Sequence, residues 1–220
     1  MSSEALDRVR NAAGRLKVFP LPSVVLLPGT VQPLHIFEQR YRDLVKEALE
    51  TDGVFAMAQV LPGHEARLAG TPDLEPMLCA GIIGMHEQLE DGRYNLVLVG
   101  VARARLVKEW PRRAAFREVE AEVLEDAALD SEEEVPLRQA VLELISRVPD
   151  EVGEKVAQVT GRLHGGALAD VVAGTIFHDV AQRFEVLQQT DVRERMREVT
   201  DEVMQLVARL KPRKPEGLLN

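Results

Sequence analysis

Residues 17–49 restrict the possible folds of this chain more than any other segment. The run Val18–Leu27 is apolar and predicts a β-strand, although it contains two prolines. Pro28-Gly29 predicts a turn, and Val31–Phe37 predicts a second, shorter strand. A helix is expected to begin at about Glu38. Its apolar face consists of residues at helical spacing: Tyr41, Leu44, Val45, Ala48 and Leu49.

Four more segments before residue 125 have the composition of β-strands. Turn signals separate them: Gly53 follows the first helix where a left-handed cap is expected, and Asp91-Gly92 between two extended runs predicts a hairpin. Residues 62–76 contain Pro and Gly clusters without periodicity, which predicts a loop. The strands are expected at residues 54–61, 77–88, 94–110 and 116–124. About six strands are enough for a small curled sheet or open barrel.

The composition changes after residue 124. Glu125–Glu134 is acidic and predicts a linker. Within it, Ser131 and Glu134 have the spacing of a capping box, in which the Ser oxygen accepts a first-turn amide and the Glu side chain bonds back to the cap. Asp191 and Glu194 have the same spacing. Apolar periodicity predicts a bundle of helices at about residues 137–148, 150–163, 167–178, 180–189 and 191–210, and a further short helix at residues 3–13.

The net charge of −9 is spread along the chain. Residues 1–126 have 15 basic and 19 acidic side chains, and the remainder has 12 and 17. Neither part therefore predicts a basic surface for nucleic acid or an anionic membrane. The single cysteine, Cys79, cannot form an internal disulfide. No apolar stretch approaches 18 residues and the N-terminus lacks a signal-peptide pattern, so we expect a cytoplasmic protein without membrane contact.

Catalytic and metal-binding motifs are missing from the sequence. There is no G-x-x-x-x-G-K-[S/T] loop to bind nucleotide phosphates, and none of the five serines lies in a G-x-S-x-G elbow. The five histidines include no H-E-x-x-H pair, and there are no paired cysteines. We therefore expect no enzyme activity, no cofactor and no metal.

Three motifs together resemble one known family. The first is PLPSVVLLPGTVQPLHIFEQRYRDLV, the second is Gly100 with Arg103 and Arg105 after the hairpin, and the third is LADVVAGTI followed by RFEVLQQTDVRERM. This pattern resembles the Lon N-terminal domain family, the substrate-binding region that precedes the ATPase and peptidase parts of Lon proteases. The resemblance covers about residues 17–210.

The resemblance implies an α+β fold, with a β-rich, PUA-like N-terminal pseudo-barrel followed by a C-terminal helical bundle. The expected division is an N-terminal extension (1–16), the β-rich lobe (17–125), the bundle (126–211) and a tail (212–220). We expect an apolar groove between the lobes, closed by the 62–76 loop, as the ligand site. The chain then looks like a Lon substrate-binding region without its ATPase and peptidase parts.

Five polar or aromatic residues are candidates for binding. Glu38, Arg40 and Tyr41 begin the first predicted helix, where they either contact an exposed peptide or stabilise the helix start and the core. Arg103 and Arg105 are two residues apart on one strand, so they share a face and either border a groove or are solvated. The motifs do not separate these interpretations.

The function predicted from these observations is a non-catalytic protein- or peptide-binding module. Its clients are expected to be unfolded or specific proteins, and a separate ATP-dependent protease is a candidate partner. One alternative is an enzyme or small-molecule-binding protein with an unrecognised cleft site. Another is RNA binding by the PUA-like barrel, against which the net charge of −9 argues. The oligomeric state is left open.

Overall fold

The computed structural model describes residues 3–64 and 70–210. Contacts divide the chain into two compact units, of which unit 1 comprises Met1–Glu125 and Asp179–Gln188, and unit 2 the rest. The strands are β1 (Leu16–Pro20), β2 (Val31–Ile36), β3 (Val54–Val60), β4 (Leu74–Gln88), β5 (Tyr94–Glu109) and β6 (Arg117–Leu124). The helices are α1 (Ser3–Ala12), α2 (Gln39–Glu50), α3 (Val135–Ile145), α4 (Asp150–Thr160), α5 (Gly166–Ile176), α6 (Val180–Gln188) and α7 (Val192–Arg209).

Unit 1 contains a five-stranded barrel with one added strand. The strand order is β2-β5-β4-β3-β1-β6, and an additional β5–β6 pairing closes β1, β3, β4, β5 and β6 into the barrel. All pairings are antiparallel except β1 with β3. The first half of β5 pairs with β2 and its second half with β6. Strand β2 therefore extends the sheet beyond the barrel.

Helix α1 is part of the barrel core; the sequence predicted a short helix at residues 3–13 but placed it in an extension outside the β-rich lobe. Its residues Ala5, Val9 and Ala12 are buried in one apolar cluster with Leu16 and Val18. The amphipathic pattern of α1 explains this packing, because apolar residues three or four apart lie on one helix face.

The first predicted strand is too long. Strand β1 ends at Pro20, and residues 21–30 form no strand in the structure. Pro20 and Pro22 have no backbone N–H to donate to a neighbouring strand, which limits regular pairing here. Leu26 and Leu27 are nevertheless buried, so the apolar run indicates a buried segment here but not a β-strand.

The predicted loop at residues 62–76 overlaps the start of β4, which begins at Leu74. Residues 65–69 of that loop lie outside the described part of the chain, as do residues 211–220, which include the predicted tail.

Unit 2 contains α3, α4, α5 and α7, and it buries the cationic side chain of Arg195. Arg195 of α7 is fully buried and forms ion pairs with Asp126 and with Asp170 of α5. It also donates to the carbonyl of Gln189 at 2.8 Å. Removing one partner of such a buried pair is strongly destabilising, because the remaining charge is left without compensation.

The linker into α3 is capped differently from the prediction. Asp130, rather than Ser131, is the capping residue: its side chain accepts the N–H of Glu133, and the Glu133 carboxylate accepts the N–H of Asp130 at 2.9 Å. The cap predicted at Asp191 is confirmed, since its side chain accepts the N–H groups of Arg193 and Glu194.

Helix α6 belongs to unit 1, whereas the sequence placed it in the helical bundle.

Within residues 3–64 and 70–210, no helix is both long and apolar enough to cross a lipid bilayer. The domain boundaries predicted from the sequence stay a prediction.

Candidate functional site

A three-stranded ribbon of β2, the first half of β5 and the second half of β4 exposes apolar side chains on one face. Its register aligns two apolar rows, Val31–Val99–Ile82 and Pro33–Val97–Met85. Met85 is 70% exposed and Val31 61% exposed. A third row is polar: His35–Asn95–Glu87. We call the side of the ribbon that carries these three rows the ribbon face.

A shallow depression of about 560 Å³ lies on the ribbon face. The residues of the second and third rows line it together with Leu34, His86 and Leu96, so its lining is partly apolar and partly polar. Concave sites with an apolar wall and a few polar groups are typical of ligand-binding surfaces. This depression therefore has the composition of a ligand-binding surface and is the candidate site in unit 1.

The polar row is ordered by a chain of hydrogen bonds. The nitrogen Nδ1 of His35 lies 2.7 Å from Oδ1 of Asn95, and Arg93 approaches Nε2 of His35 at 3.4 Å. Because Arg only donates, Nε2 accepts from Arg93 and Nδ1 carries the proton donated to Asn95. Asp91 binds Arg93 at 2.6 Å. These contacts fix the orientation of the imidazole.

Phe37 extends the ribbon face toward helix α2. Its ring is 62% exposed and stacks on His35, with centroids 6.2 Å apart and an interplanar angle of 27°. An exposed aromatic ring beside an apolar surface is the kind of group that is enriched in protein interfaces.

Glu38 and Arg40, predicted as candidates, lie next to Phe37 in sequence and bind each other. Nε of Arg40 donates to the Glu38 carboxylate at 3.0 Å, and its guanidinium lies 4.5 Å from the centre of the Tyr41 ring. Glu38 precedes the first residue of α2 without capping it through its side chain. Both charged groups are thus held by local contacts.

Tyr41, the third of these candidates, is a core residue. It is buried and packs edge-on against Phe19, with ring centroids 4.4 Å apart. Burial raises the pKa of its phenol, because a phenolate is poorly solvated there. Its position favours the structural interpretation, while a recognition role for Glu38 and Arg40 stays a prediction.

Arg103 and Arg105 share a strand face but differ in environment. Arg103 is buried and donates to the carbonyls of Val186 at 2.9 Å and Leu187 at 3.1 Å, in the last turn of α6. A cation is favourable at this negative end of a helix. Arg105 is half-exposed and pairs with Glu122 at 2.7 Å. The structure therefore does not bring the two side chains to a common site.

Unit 2 offers two further depressions, both rich in ion-paired side chains. One of about 400 Å³ is lined in part by Arg193, which pairs with Glu133 at 2.5 Å. The other, of about 520 Å³, is lined in part by Arg147, which pairs with Glu143 at 2.6 Å. These charges already satisfy one another, so we regard the ribbon face as the stronger candidate.

A buried carboxylate in unit 2 has a structural explanation. Burial would raise the pKa of Glu134, but the N–H of Gly165 at 2.6 Å and the guanidinium of Arg138 at 2.7 Å lower it below its usual value. A depressed pKa suits a permanent acceptor rather than a general acid. Across residues 3–64 and 70–210, no three potential ligand side chains group to hold a metal ion.

Met85 and Phe37, the most exposed large apolar residues of the ribbon face, were not among the binding residues predicted from the sequence. The sequence does contain a signal for this surface. In Val31–Phe37 the residues on both faces of the strand are largely apolar, so one apolar face stays exposed when the other is buried. Only the register with β5 shows which set is exposed.

Comparison with known proteins identifies the family. The sequence model of the "ATP-dependent protease La (LON) substrate-binding domain" matches residues 15–205, so the chain belongs to this family. The predicted family and the predicted α+β fold are thereby confirmed.

Among relatives, Lon protease 2 of Myxococcus xanthus is 30% identical over 195 residues, covering 84% of this chain and 23% of the relative. Lon protease of Escherichia coli K12 is 25% identical, covering 89% and 25%. The chain thus spans about a quarter of the length of these proteins.

Solved structures agree with this assignment. The N-terminal domain of Lon protease from the Mycobacterium avium complex superposes with a TM-score of 0.69 at 21% identity, covering 86% of this chain and 98% of that one. A Lon N-terminal domain protein from Xanthomonas campestris gives 0.57 at 26% identity, covering 90% and 99%.

Proposed function

We propose that this chain is a non-catalytic module that binds apolar segments of protein clients on the ribbon face. The observation that carries the proposal is the exposure of two adjacent apolar rows, with Met85 70% and Val31 61% accessible to solvent. Contiguous exposed apolar patches on a folded protein mark interaction sites, because exposure to water is otherwise unfavourable. The family description, a substrate-binding domain, supports the same class of function.

The chemistry of the face suits varied clients. Met85 has a flexible, polarizable side chain that adapts to different partners, and the β-branched Val31 and Val97 are rigid. Burying one such side chain contributes roughly 1.5–3 kcal/mol. A few contacts of this size give weak, reversible binding once the cost of association is subtracted. Such binding fits temporary capture of unfolded segments.

The polar row provides orientation beside this apolar area. His35 is held by Asn95 and Arg93, and the exposed Asn95 amide keeps further hydrogen-bonding capacity in this fixed geometry. Fixed polar groups at the rim of an apolar surface align a ligand more than they add affinity. The expected inter-lobe groove stays a prediction, and the proposed site does not depend on it.

The test is Met85→Glu, with Met204→Glu as the matched control on α7 of unit 2, where Met204 is also exposed. The probe is fluorescently labelled, reduced and carboxymethylated lactalbumin, a permanently unfolded protein, and the measurement is fluorescence anisotropy. We expect Met85→Glu to weaken binding roughly tenfold or more, because a charge replaces an apolar contact. Equal binding by the two variants would show that the ribbon face is not the client site.

We further propose that captured clients pass to a separate ATP-dependent protease. Its support is that the matched relatives are Lon proteases in which this region makes up about a quarter of the length. Adding the chain to a purified Lon protease with the same client should change the degradation rate, and Met85→Glu should abolish the change. An unaltered rate with wild-type protein would exclude delivery to that protease.

A further inference from the structure

Strand β2 lies at the edge of the six-stranded sheet and pairs with β5 on one side. Among the described residues, no strand pairs with its other edge. The register places Val31 opposite Val99, which puts the preceding residue Thr30 opposite Gly100. The N–H of Gly100 donates to the carbonyl of Thr30 at 2.9 Å.

This one bond sets the phase of the whole strand. In an antiparallel pair, alternate residues exchange backbone bonds with the partner strand, and the residues between them point their backbone groups away. Gln32, Leu34 and Ile36 have the phase of Thr30 and bond to β5. Val31, Pro33 and His35 therefore direct their backbone groups to the open edge.

Two independent features agree with this phase. Pro33 has no N–H, and the outward phase is the only one in which it removes no ladder bond. The carbonyl of Pro33 accepts Nε2 of the Gln32 side chain at 3.0 Å, so it does not point at β5. The open edge thus presents the N–H groups and carbonyls of Val31 and His35, while the Pro33 carbonyl is bonded to the Gln32 side chain.

We propose that an extended client segment pairs with this edge of β2 as an added strand, and this inference rests on the proposed function. Edge strands are ready templates for strand addition, in which backbone bonds give affinity and alternate side chains give selectivity. Side chains of the added strand that share the ribbon face lie beside Val31 and Pro33. Apolar residues at alternate positions of the client continue the two apolar rows.

Charge selects one end of the client. The hairpin between β4 and β5 and the start of α2 lie at the Ile36 end of β2, since Nε of Arg42 donates to the carbonyl of Gly92 at 2.8 Å. Four carboxylates against three arginines give this end a local charge of −1: Glu38, Glu87, Glu90 and Asp91 against Arg40, Arg42 and Arg93. A basic residue at the matching end of the client is therefore favoured.

The occupant is thus an extended peptide with apolar residues at alternate positions and one basic end. In an antiparallel arrangement the basic residue is N-terminal. A suitable probe is the blocked peptide Lys-Val-Thr-Val-Thr-Val-Thr. Amide hydrogen exchange of the full chain, resolved by NMR, follows individual backbone N–H groups.

We expect the peptide to slow exchange of the Val31 and His35 amides at least tenfold, while Gln32 and Leu34, already bonded to β5, change little. Two versions of the peptide can be N-methylated, one at the odd-numbered residues and one at the even-numbered residues. Only one of these sets directs its N–H groups toward β2, so methylation of that set should abolish binding and methylation of the other should not. This measurement uses the wild-type protein and needs no folded variant.

A variant pair tests the same edge from the protein. His35→Pro removes one outward N–H in the phase where Pro33 already occurs, and His35→Ala keeps that N–H while removing the same side chain. We expect His35→Pro to bind the peptide at least fivefold more weakly than His35→Ala.

The outcomes separate this inference from the proposed function. If unfolded lactalbumin binds and Met85→Glu weakens it, but the Val31 and His35 amides exchange as before, strand addition is wrong and the proposed function stands. If neither probe binds, both fail. Protection of these amides that rises with protein concentration without peptide would show pairing with a second copy and would overturn the peptide proposal.

Discussion

At the scale of single residues, Gly100 marks the point where the barrel and the ribbon separate. A Cβ at this position would overlap the carbonyl oxygen of Leu27, because the segment before β2 crosses β5 here. The N–H of Gly29 donates to the carbonyl of Gly100 at 2.9 Å, and Gly100 donates to Thr30. Opposite it lies Gly81, whose Cβ would be 2.7 Å from the Val99 carbonyl. Both glycines allow close approach of backbones.

Gly100→Ala should destabilise the protein by about 2 kcal/mol or more, since the clash is with backbone atoms that cannot move aside independently. Gly14→Ala is the control, because nothing lies within 4 Å of a Cβ there. It should be neutral or slightly stabilising. Urea unfolding followed by circular dichroism measures both. A Gly100→Ala protein as stable as Gly14→Ala would contradict the packing described.

At the scale of elements, the entry into α3 shows how one carboxylate joins two segments of unit 2. Glu134 precedes α3 and accepts bonds from Arg138 one turn later and from the N–H of Gly165, just before α5. His164 also approaches its carboxylate at 3.2 Å. The capping box beside it is formed by Asp130 and Glu133. Neighbouring acidic residues thus have separate structural roles.

Glu134→Gln should destabilise the protein by about 1–3 kcal/mol at pH 7, because the amide is a weaker acceptor for Arg138. The folded-state pKa of Glu134 is lowered, so its stabilisation is complete above the ordinary value of 4.5 and is lost as the pH falls through the folded value. The difference in the free energy of unfolding between wild type and Glu134→Gln should therefore become smaller below about pH 4.5.

Urea unfolding between pH 3.5 and 7.5 gives this comparison, and Glu132→Gln, at an exposed neighbouring carboxylate, is the matched control. A gap that stays constant down to pH 3.5 would show that the charge of Glu134 does not contribute.

At the scale of the whole molecule, the chain leaves unit 1 after Glu125 and returns for Asp179–Gln188. Arg103 holds that returning segment by bonding to the carbonyls of Val186 and Leu187. Because these carbonyls end α6, the guanidinium satisfies backbone groups that have no partner within the helix. A residue of β5 therefore bonds to the end of a helix that is distant in sequence.

Arg103→Met should destabilise α6 by about 2 kcal/mol, whereas Arg105→Met should cost less than about 1 kcal/mol, because the Arg105–Glu122 pair is exposed. Amide hydrogen exchange of the α6 residues distinguishes the effects of the two substitutions. We expect faster exchange of α6 amides in Arg103→Met and unchanged exchange in α3 and α7. Equal effects of the two substitutions would show that Arg103 is not the anchor of α6.

Periodicity and turn residues predicted most elements of this fold. Alternating or helical apolar patterns depend on which side of one element is buried, and a single segment contains that information. The same patterns predicted too late an end for β1, because a buried irregular segment such as Leu26-Leu27 is as apolar as a strand. The candidate site was predicted less well: Glu38 and Arg40 lie beside Phe37, whereas Met85 was not foreseen.

The sequence by itself determined the family, the α+β class and the approximate elements, because motifs and apolar spacing are local properties of the chain. Tertiary structure alone decided that Arg103 caps α6, that Tyr41 is buried and that Met85 is exposed. These outcomes depend on strand register and on contacts between residues far apart in sequence. Such contacts arise only when the apolar faces of all the elements are packed together.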